Sequence, residues 1–186
     1  MTEIQLCIKK TKACKLKKII FVSGIHGAGK GTLCTQLSSV TGLSKHSCSQ
    51  IIKDNSNYKE SNKLVSSAEV NQATLLHGIS TLKDNNFLLD GHFCLLAKDH
   101  SIIEIDDTIF TKINPYKIIH VTCNENIIEE RLKKRDGCSI DINILKEMQN
   151  KETAKAKELA LKLSVPIYEH KSGKSISRLS DWLKRS

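Results

Sequence analysis

The feature that most constrains this chain is a glycine-rich turn with the sequence GIHGAGKGT at residues 24–32. An apolar run over residues 17–23 precedes the turn and predicts a buried strand. Apolar residues at helical spacing over residues 32–40 follow it. Glycines let successive backbone N–H groups turn toward one anion, and the start of a helix adds a partial positive charge. A strand, such a loop and a helix in this order predict a phosphate-binding site.

The lysine of this loop supplies the full positive charge of the predicted site. Lys30 can reach the β- and γ-phosphates of a bound nucleotide, and Thr32 can donate its hydroxyl to an α-phosphate. Gly31 stands where phosphate loops commonly carry the hydroxyl residue that ligates magnesium directly. The residues predicted to bind the nucleotide are Gly27, Ala28, Gly29, Lys30, Gly31 and Thr32.

The remaining hydrophobic pattern predicts an α/β fold. Further strands are predicted at residues 87–90, 117–122 and 164–168, and further helices at residues 66–83, 125–134, 141–163 and 175–185. Strands that alternate with helices form a parallel sheet, here of about five strands, with helices on both faces. Residues 43–65 are polar and rich in Ser, Asn and Lys, and no element is predicted there.

The net charge of +9 is concentrated at the amino terminus. Residues 1–18 contain six lysines and one glutamate, which leaves +4 for the rest of the chain. We therefore predict a basic extension over residues 1–16 and a single domain over residues 17–186. The extension leaves open a nucleic-acid or protein partner. Aromatic residues make up only 4% of the chain, which argues against a base-stacking surface.

Composition also bears on the compartment. No apolar run approaches the roughly 20 residues that cross a bilayer. Lysines interrupt every early apolar stretch, so neither a membrane span nor a signal peptide is predicted. The seven cysteines are scattered and none is spaced C-x-x-C, which predicts reduced thiols rather than disulfides or a zinc site. These features predict a soluble cytoplasmic protein that does not contact a membrane.

The segment Leu88-Leu89-Asp90-Gly91-His92 carries a second candidate group. A carboxylate at the carboxyl end of a buried strand, beside a phosphate loop, can orient the water ligands of a magnesium ion. Asp90 is therefore predicted to be catalytic and to hold Mg²⁺ through water. The alternative is an aspartate that only caps the following turn, because Asp-Gly is also a turn pair.

Two arginines form a third candidate group. Arg131 and Arg135 lie four residues apart and so share one face at the end of a predicted helix. An arginine near a phosphate loop neutralises the charge that spreads over a transferred phosphoryl group, and its planar fork suits this task better than lysine does. The alternative is a solvated basic helix end that only complements the helix dipole.

The loop pattern G-x-x-G-x-G-K-G-T resembles that of the nucleoside monophosphate kinases, and of adenylate kinases in particular. Asp90-Gly91-His92 is similar to the D-x-H pattern of the archaeal-type members. The resemblance implies the three-layer P-loop NTPase fold with a compact lid, and ATP and Mg²⁺ as cofactors. It implies that magnesium is held mainly through waters. It also implies that the loop at Ser172 and Gly173 contacts the adenine through backbone atoms.

The chain departs from that family in two places. His26 stands where these kinases usually have proline, and it is either a solvent-facing spacer or a weak phosphate contact. Residues 41–90 contain no arginine, whereas the family clamps its acceptor phosphate with arginine from this region. Either lysines, backbone N–H groups and His92, the predicted substrate-binding residue, hold the acceptor, or there is no such acceptor.

These observations predict a small Mg²⁺-dependent nucleoside monophosphate kinase with a nucleotide as substrate. Two alternatives stay open. One is a P-loop ATPase or nucleotide switch that acts with a protein or nucleic-acid partner, and the other is a small-metabolite kinase. The predicted catalytic residues are Lys30, Asp90, Arg131 and Arg135, whose task is to position phosphates and stabilise charge.

Overall fold

The computed structural model describes residues 17–56, 67–97, 99–137 and 139–185. The strands of these residues are β1 (Lys18–Ser23), β2 (Ser44–Ser47), β3 (Asn86–Asp90), β4 (Cys94–Leu96), β5 (Ile102–Glu104), β6 (Lys117–Thr122) and β7 (Ile167–Lys171). The helices are α1 (Lys30–Thr41), α2 (Cys48–Asp54), α3 (Ser67–Thr81), α4 (Asp107–Ile113), α5 (Glu125–Asp136), α6 (Ile142–Lys162) and α7 (Ser177–Lys184).

A five-stranded parallel sheet with the order β2-β3-β1-β6-β7 forms the centre of the fold. Strands β4 and β5 form a separate antiparallel pair. Within the sheet, Val22 lies opposite Asp90, and Ser23 lies opposite His120. The carboxyl ends of β1, β3 and β6 therefore meet at one edge, where open parallel sheets bind their ligands.

The hydrophobic core lies on both faces of this sheet. Ile19 and Phe21 of β1 belong to one buried cluster, which includes residues of α2, α3 and α4. Ile20 and Val22 point the other way, as alternation along a strand requires, and join a cluster with residues of α1, α5 and α7. Helix α6 adds residues of its first half to the second cluster and of its second half to the first. The result is the three-layer arrangement that the alternating pattern predicted.

The predicted fold class is thereby confirmed, and one strand lies elsewhere than predicted. The final strand is β7 at Ile167–Lys171, three residues beyond the predicted run 164–168. Pro166 has no N–H to donate to a ladder, and Ser164 has a φ of 54°, so the chain turns there before the strand begins. Residues 137–141 alone connect α5 to α6, which is too short for an inserted lid domain.

Several short elements had no sequence prediction, namely β2, α2, β4, β5 and α4. Strand β2 lies at the sheet edge and none of its side chains is fully buried, so no apolar run marks it. Residues 57–66, which include the first residue of the helix predicted at residues 66–83, lie outside the described residues. The predicted basic extension at residues 1–16 lies outside them too.

Two further predictions bear on the described residues. No helix among them is long and apolar enough to cross a membrane. Their cysteines, which are Cys34, Cys48, Cys94 and Cys123, are all free thiols.

Candidate active site

The phosphate loop connects β1 to α1 and lies directly against α5 and the end of β7. Helix α1 begins at Lys30. Gly29 has a φ of 100°, and a Cβ there would come within 2.7 Å of Ser172 Oγ. Gly27 has a φ of 80°, and a Cβ there would come within 3.0 Å of Ile128 Cγ2. Glycine is therefore required at both positions by conformation and by the close approach of neighbouring elements.

Lys30 is buried inside the loop, with 6% of its surface exposed. Its Nζ donates to the carbonyl oxygens of Gly24 at 2.7 Å and Ile25 at 3.2 Å. The same atom lies 3.8 Å from Asp90 Oδ1. Burial lowers the pKa of Lys30, and the charges of Asp90 and Glu152 oppose that shift. In this structure the lysine charge is thus held by two neutral carbonyl groups and a nearby carboxylate.

Asp90 and His92 face Lys30 from the end of β3. Burial raises the pKa of the Asp90 carboxyl, and Lys30 opposes that shift. His92 Nδ1 lies 3.5 Å from Lys30 Nζ. Burial, followed by the charge of Lys30, holds the pKa of His92 well below its ordinary value, so the ring is neutral at pH 7. The ring of His26 packs on that of His92 with centroids 4.1 Å apart, a contact that sequence reasoning did not predict.

Arg131 links three segments of the site. Its Nη1 donates to the carbonyl oxygen of Gly27 at 2.9 Å and lies 3.4 Å from Ser172 Oγ. Ser172 is itself fixed by its backbone N–H, which donates to the carbonyl oxygen of Thr122 at 2.7 Å. The guanidinium therefore contacts the phosphate loop and the segment that follows β7, and it connects both to α5.

Arg135 lies one helical turn further along α5 and, like Arg131, is exposed. Its Nε and Nη2 donate to the two carboxylate oxygens of Asp136 at 2.7 and 2.6 Å. This pair raises the pKa of Arg135 and lowers that of Asp136. Since both side chains are solvent-exposed, the pair adds little to stability.

One cavity of about 1350 Å³ joins these groups. Its phosphate-loop end is lined by Gly27, Gly29, Lys30, Gly31 and Thr32, with Asp90, His92, Arg131 and Arg135 around them. Its distal end is lined by Asn71, Gln72, Leu75, Glu104, Asp106 and Phe110. The distal end is thus built by α3, β5 and α4 and the residue that precedes α4. Its polar groups are amides and carboxylates.

Three of the predicted nucleotide-binding residues do not line the cavity. Ala28 is fully buried, and its N–H donates to the carbonyl oxygen of Ile25 at 3.2 Å within the loop. Ser172 lies behind the loop against Arg131. Gly173 is exposed at the next position. The other predicted site residues, including Asp90 and His92, are brought together around the cavity.

Sequence reasoning missed Glu152, a fully buried carboxylate on α6. It accepts hydrogen bonds from the backbone N–H groups of Gly24, Phe93 and Cys94. Burial raises the pKa of Glu152, and these N–H donors and Lys30 oppose the shift. The signal was present in the sequence, because residues 145, 148, 152, 156 and 159 share one helical face and Glu152 is its only charged member.

A second missed contact lies below the loop. His120 Nδ1 lies 3.0 Å from Ser23 Oγ, and His120 Nε2 lies 2.9 Å from Thr153 Oγ1. Thr153 donates its one hydroxyl proton to the carbonyl oxygen of Gln149 at 2.7 Å, so it accepts from Nε2–H of the ring. With its proton on Nε2, a neutral His120 ring accepts from the Ser23 hydroxyl at Nδ1. Burial lowers the pKa of His120 to about 4, in agreement with that hydrogen-bond pattern.

The sheet order, the phosphate loop after β1 and the acidic residue at the end of β3 define a P-loop protein. A family model described as an AAA domain matches residues 23–149, more than half of the chain, and the chain belongs to this family. With the relatives described next, this match confirms the predicted resemblance to P-loop kinases. It also confirms the predicted enzyme class, an ATP-dependent kinase or ATPase.

Similarity to individual proteins extends over most of the chain. The chain is 28% identical over 169 residues to UMP-CMP kinase 3 of Oryza sativa subsp. japonica, and the match covers 84% of this chain and 74% of that protein. A shikimate kinase from Acinetobacter baumannii, solved with shikimate, superposes with a TM-score of 0.59 at 14% identity, covering 94% of each chain. A putative kinase from Chloroflexus aurantiacus superposes with a TM-score of 0.53 at 14% identity, covering 91% of this chain and 97% of that one. The two structures support the fold alone.

Proposed function

We propose that this protein transfers the γ-phosphoryl group of ATP, with Mg²⁺, to a small molecule held in the distal end of the cavity. The observation that carries the proposal is the continuity of one cavity from the phosphate loop to that distal end. Its volume of about 1350 Å³ exceeds the roughly 300–1,000 Å³ typical of a pocket for one small ligand. A donor nucleotide and an acceptor therefore have room side by side.

The residues at the phosphate-loop end suit a nucleotide triphosphate. The start of α1 and the loop backbone offer N–H groups to phosphate oxygens. Lys30, now bound to the Gly24 and Ile25 carbonyls, has a stronger partner in a phosphate. Asp90 is the carboxylate at this end that is suited to orient water ligands of Mg²⁺. When bound, the ion would supply positive charge that neutralises the phosphates of the nucleotide. Gly31 has no side-chain oxygen that could bind the ion. Asp90 Oδ2 lies 3.9 Å from the position that a Cβ at Gly31 would occupy, so this carboxylate is close to the start of α1.

The two arginines of α5 differ in what they are free to do. Arg131 lines the cavity and also donates to the Gly27 carbonyl oxygen, so it contacts the loop directly. Arg135 is paired only with its exposed neighbour Asp136 among the contacts described, and it lines the cavity. We assign Arg135 to the charge of the transferred phosphoryl group, and Arg131 to the same charge and to the position of the loop.

The first candidate acceptor is a nucleoside monophosphate, for which the UMP-CMP kinase relative gives support. In that assignment His92 and backbone N–H groups at the end of β3 would contact the acceptor phosphate. Asn71 and Gln72 at the distal end would donate to and accept from the edge of the base.

A second candidate is an uncharged small molecule that carries a hydroxyl group. Glu104 and Asp106 line the distal end, and the cavity-lining residues that the structure describes include no arginine outside α5. Carboxylates repel an acceptor phosphate but accept hydrogen bonds from hydroxyl groups. In this case Asp90 would also be close enough to the transferred group to accept the hydroxyl proton.

One assay separates these functions. Purified protein is incubated with ATP and Mg²⁺ and with matched pairs of nucleosides and nucleoside monophosphates, UMP and CMP included. ADP formation that depends on a monophosphate supports the first candidate, and dependence on an uncharged hydroxyl compound supports the second. Slow hydrolysis that no acceptor accelerates would contradict both and favour an ATPase or nucleotide switch, which would then be tested with protein and nucleic-acid partners.

The magnesium assignment has its own test in Asp90→Asn. We expect a loss of roughly 10²-fold in kcat and a higher Mg²⁺ concentration at half-maximal rate, because the amide orients water ligands poorly. Asp54→Asn, at an exposed position near the end of α2, is a matched control that should change neither value. An unchanged magnesium dependence in Asp90→Asn would remove the assignment.

A further inference from the structure

Glu152 joins the two chain segments that carry the reactive groups of the site. Its Oε1 accepts from the N–H of Gly24 at 3.0 Å and of Phe93 at 2.9 Å. Its Oε2 accepts from the N–H of Phe93 at 3.0 Å and of Cys94 at 2.6 Å. We propose that Glu152 is a positioning residue that sets the distance between the phosphate loop and the Asp90–His92 segment during phosphoryl transfer. The proposal rests on the proposed function.

The chemistry of these contacts requires a carboxylate. Both oxygens of Glu152 accept from backbone N–H groups, and the Cys94 thiol is a further hydrogen-bond donor to this carboxylate. An ionised carboxylate accepts hydrogen bonds without donating any. A carboxylic acid or a primary amide would turn an O–H or N–H toward one of these donors and lose its bond. Hydrogen bonds to a charged acceptor are also shorter and stronger than neutral ones. The side chain, at 0% exposure, has no water to replace them.

The segments held by Glu152 are those that place Lys30 and His92. Gly24 begins the phosphate loop, and its carbonyl oxygen accepts from Lys30 Nζ at 2.7 Å. Phe93 and Cys94 directly follow His92, whose Nδ1 lies 3.5 Å from the same Nζ. His92 is also hydrogen-bonded to the backbone of Gly24. Glu152 is thus the common support of two groups that face each other across the site.

Helix α6 makes this support stiff. Three residues before Glu152 on the same helix, Gln149 Oε1 accepts from the N–H of Cys123 and its Nε2 donates to the carbonyl oxygen of Cys123. Thr153, the next residue, meets His120 of β6. The helix is therefore fixed to the sheet edge on both sides of Glu152, and a shift of the carboxylate moves the loop rather than the helix.

Two variants separate positioning from mere stability. Glu152→Gln keeps the volume but loses one acceptor oxygen, and Glu152→Asp keeps both oxygens but withdraws them by one methylene. Glu147→Gln is the matched control, because Glu147 is exposed on the same helix and pairs with Lys151 alone among the ion pairs described. A stabilising role predicts that activity follows the free energy of unfolding. A positioning role predicts that Glu152→Asp retains more of that free energy than Glu152→Gln, yet loses comparable activity.

Steady-state kinetics and calorimetry give the readouts. We expect both Glu152 variants to lower kcat by at least about tenfold, because misplacement by about 1 Å costs up to roughly 10²-fold. We expect the KM for ATP to change by less than about threefold, because the loop still binds the phosphates. The γ-phosphoryl group would, however, no longer lie in line with the attacking group of the acceptor. Combined with His92→Ala, the losses should be smaller than additive, because both changes disturb one arrangement. Additive losses, or normal kcat in folded Glu152→Asp, would overturn the proposal.

The binding of ADP with Mg²⁺ keeps the test independent of turnover. If wild-type protein transfers no phosphoryl group, the proposed function fails. Glu152 is then judged by the calorimetric affinity for ADP with Mg²⁺, which should weaken by about twofold to threefold in Glu152→Asp, in line with the small change expected in the KM for ATP. The same affinity should be unchanged in Glu147→Gln. Equal affinities in all three proteins would overturn the proposal.

Discussion

The two ends of the cavity are built in contrasting ways. At the phosphate-loop end, one continuous segment supplies Gly27, Gly29 and Lys30, and hydrogen bonds from Glu152, Lys30 and Arg131 hold its backbone. At the distal end, single side chains arrive from α3, β5 and α4, and Asn71 and Glu104 are exposed. The contrast indicates that one end is built to recognise a constant partner, the triphosphate. The other end can be changed one residue at a time without disturbing the loop.

The largest expected effect breaks the phosphate-loop end. Lys30→Ala removes the charge that neutralises the β- and γ-phosphates, and we expect a loss of roughly 10³-fold in kcat/KM for ATP. Lys133→Ala, on the exposed face of α5, is the control and should leave the rate unchanged. Retained turnover in Lys30→Ala would show that the loop is not where ATP reacts.

A pH titration of stability sharpens the comparison by testing the support below the loop. His120 has a pKa of about 4 in the folded protein and about 6.5 when unfolded, so the unfolded chain binds the proton first as pH falls. The free energy of unfolding should therefore decrease between about pH 6.5 and pH 4, by on the order of 3 kcal/mol at most. Chemical denaturation at a series of pH values measures this slope.

Two substitutions assign that slope. His120→Gln removes the titrating group, so its unfolding free energy should depend less on pH over the same interval. His100→Gln, at an exposed position, should keep the wild-type slope. Identical slopes in wild-type and His120→Gln would contradict the neutral, buried assignment of His120.

The two arginines of α5 test how far along this helix the residues that take part in phosphoryl transfer extend. Arg131→Ala removes the hydrogen bond to the Gly27 carbonyl oxygen of the loop. We expect kcat to fall by roughly 30-fold, because the substitution affects both the position of the loop and the stabilisation of charge on the transferred phosphoryl group. Arg135→Ala should lower kcat by about fivefold to tenfold with little change in thermal stability, because its partner is exposed. Rates are compared at saturating ATP. A larger loss in Arg135→Ala would reverse the assignment of the two residues.

The smallest expected effect lies at the distal end. Gln72→Ala should raise the KM for the acceptor by about threefold to tenfold, because one hydrogen bond to an uncharged group is lost. ATP hydrolysis without acceptor should be unchanged. Gln36→Ala, exposed on α1 and outside the cavity, is the matched control. If Gln72→Ala altered acceptor-free hydrolysis instead, the two ends would not be separable.

The same contrast explains what could be predicted from the sequence. The phosphate loop and the sheet were predictable because their signals are local. The loop is marked by glycines and a lysine at fixed spacing, and the strands, which are buried on both faces, are marked by continuous apolar runs. Asp90 could be singled out as a candidate because it ends such a run. The distal end has no local signal, since Gln72, Glu104 and Phe110 are far apart in sequence and meet only through the fold.

The missed residues of α6 show a different limit. Glu152 is marked in the sequence as the charged member of an apolar helix face, but only the fold shows that this face is buried beside the phosphate loop. His120 lies inside an apolar strand, where a histidine gives no sign of its partners Ser23 and Thr153. A polar residue on an apolar face is visible in sequence, but the group it serves is determined by packing.

Helix α6 also carries a contact to the far side of the cavity. Lys155 Nζ, one turn beyond Glu152, lies 2.7 Å from Asp107 Oδ1 and 3.5 Å from Oε2 of Glu104, which lines the distal end. One helix therefore contacts residues at both ends of the cavity. A substitution of Glu104 that changes the acceptor preference would also remove a contact of α6. Such changes are therefore constrained by the need to keep the helix, and with it the phosphate loop, in place.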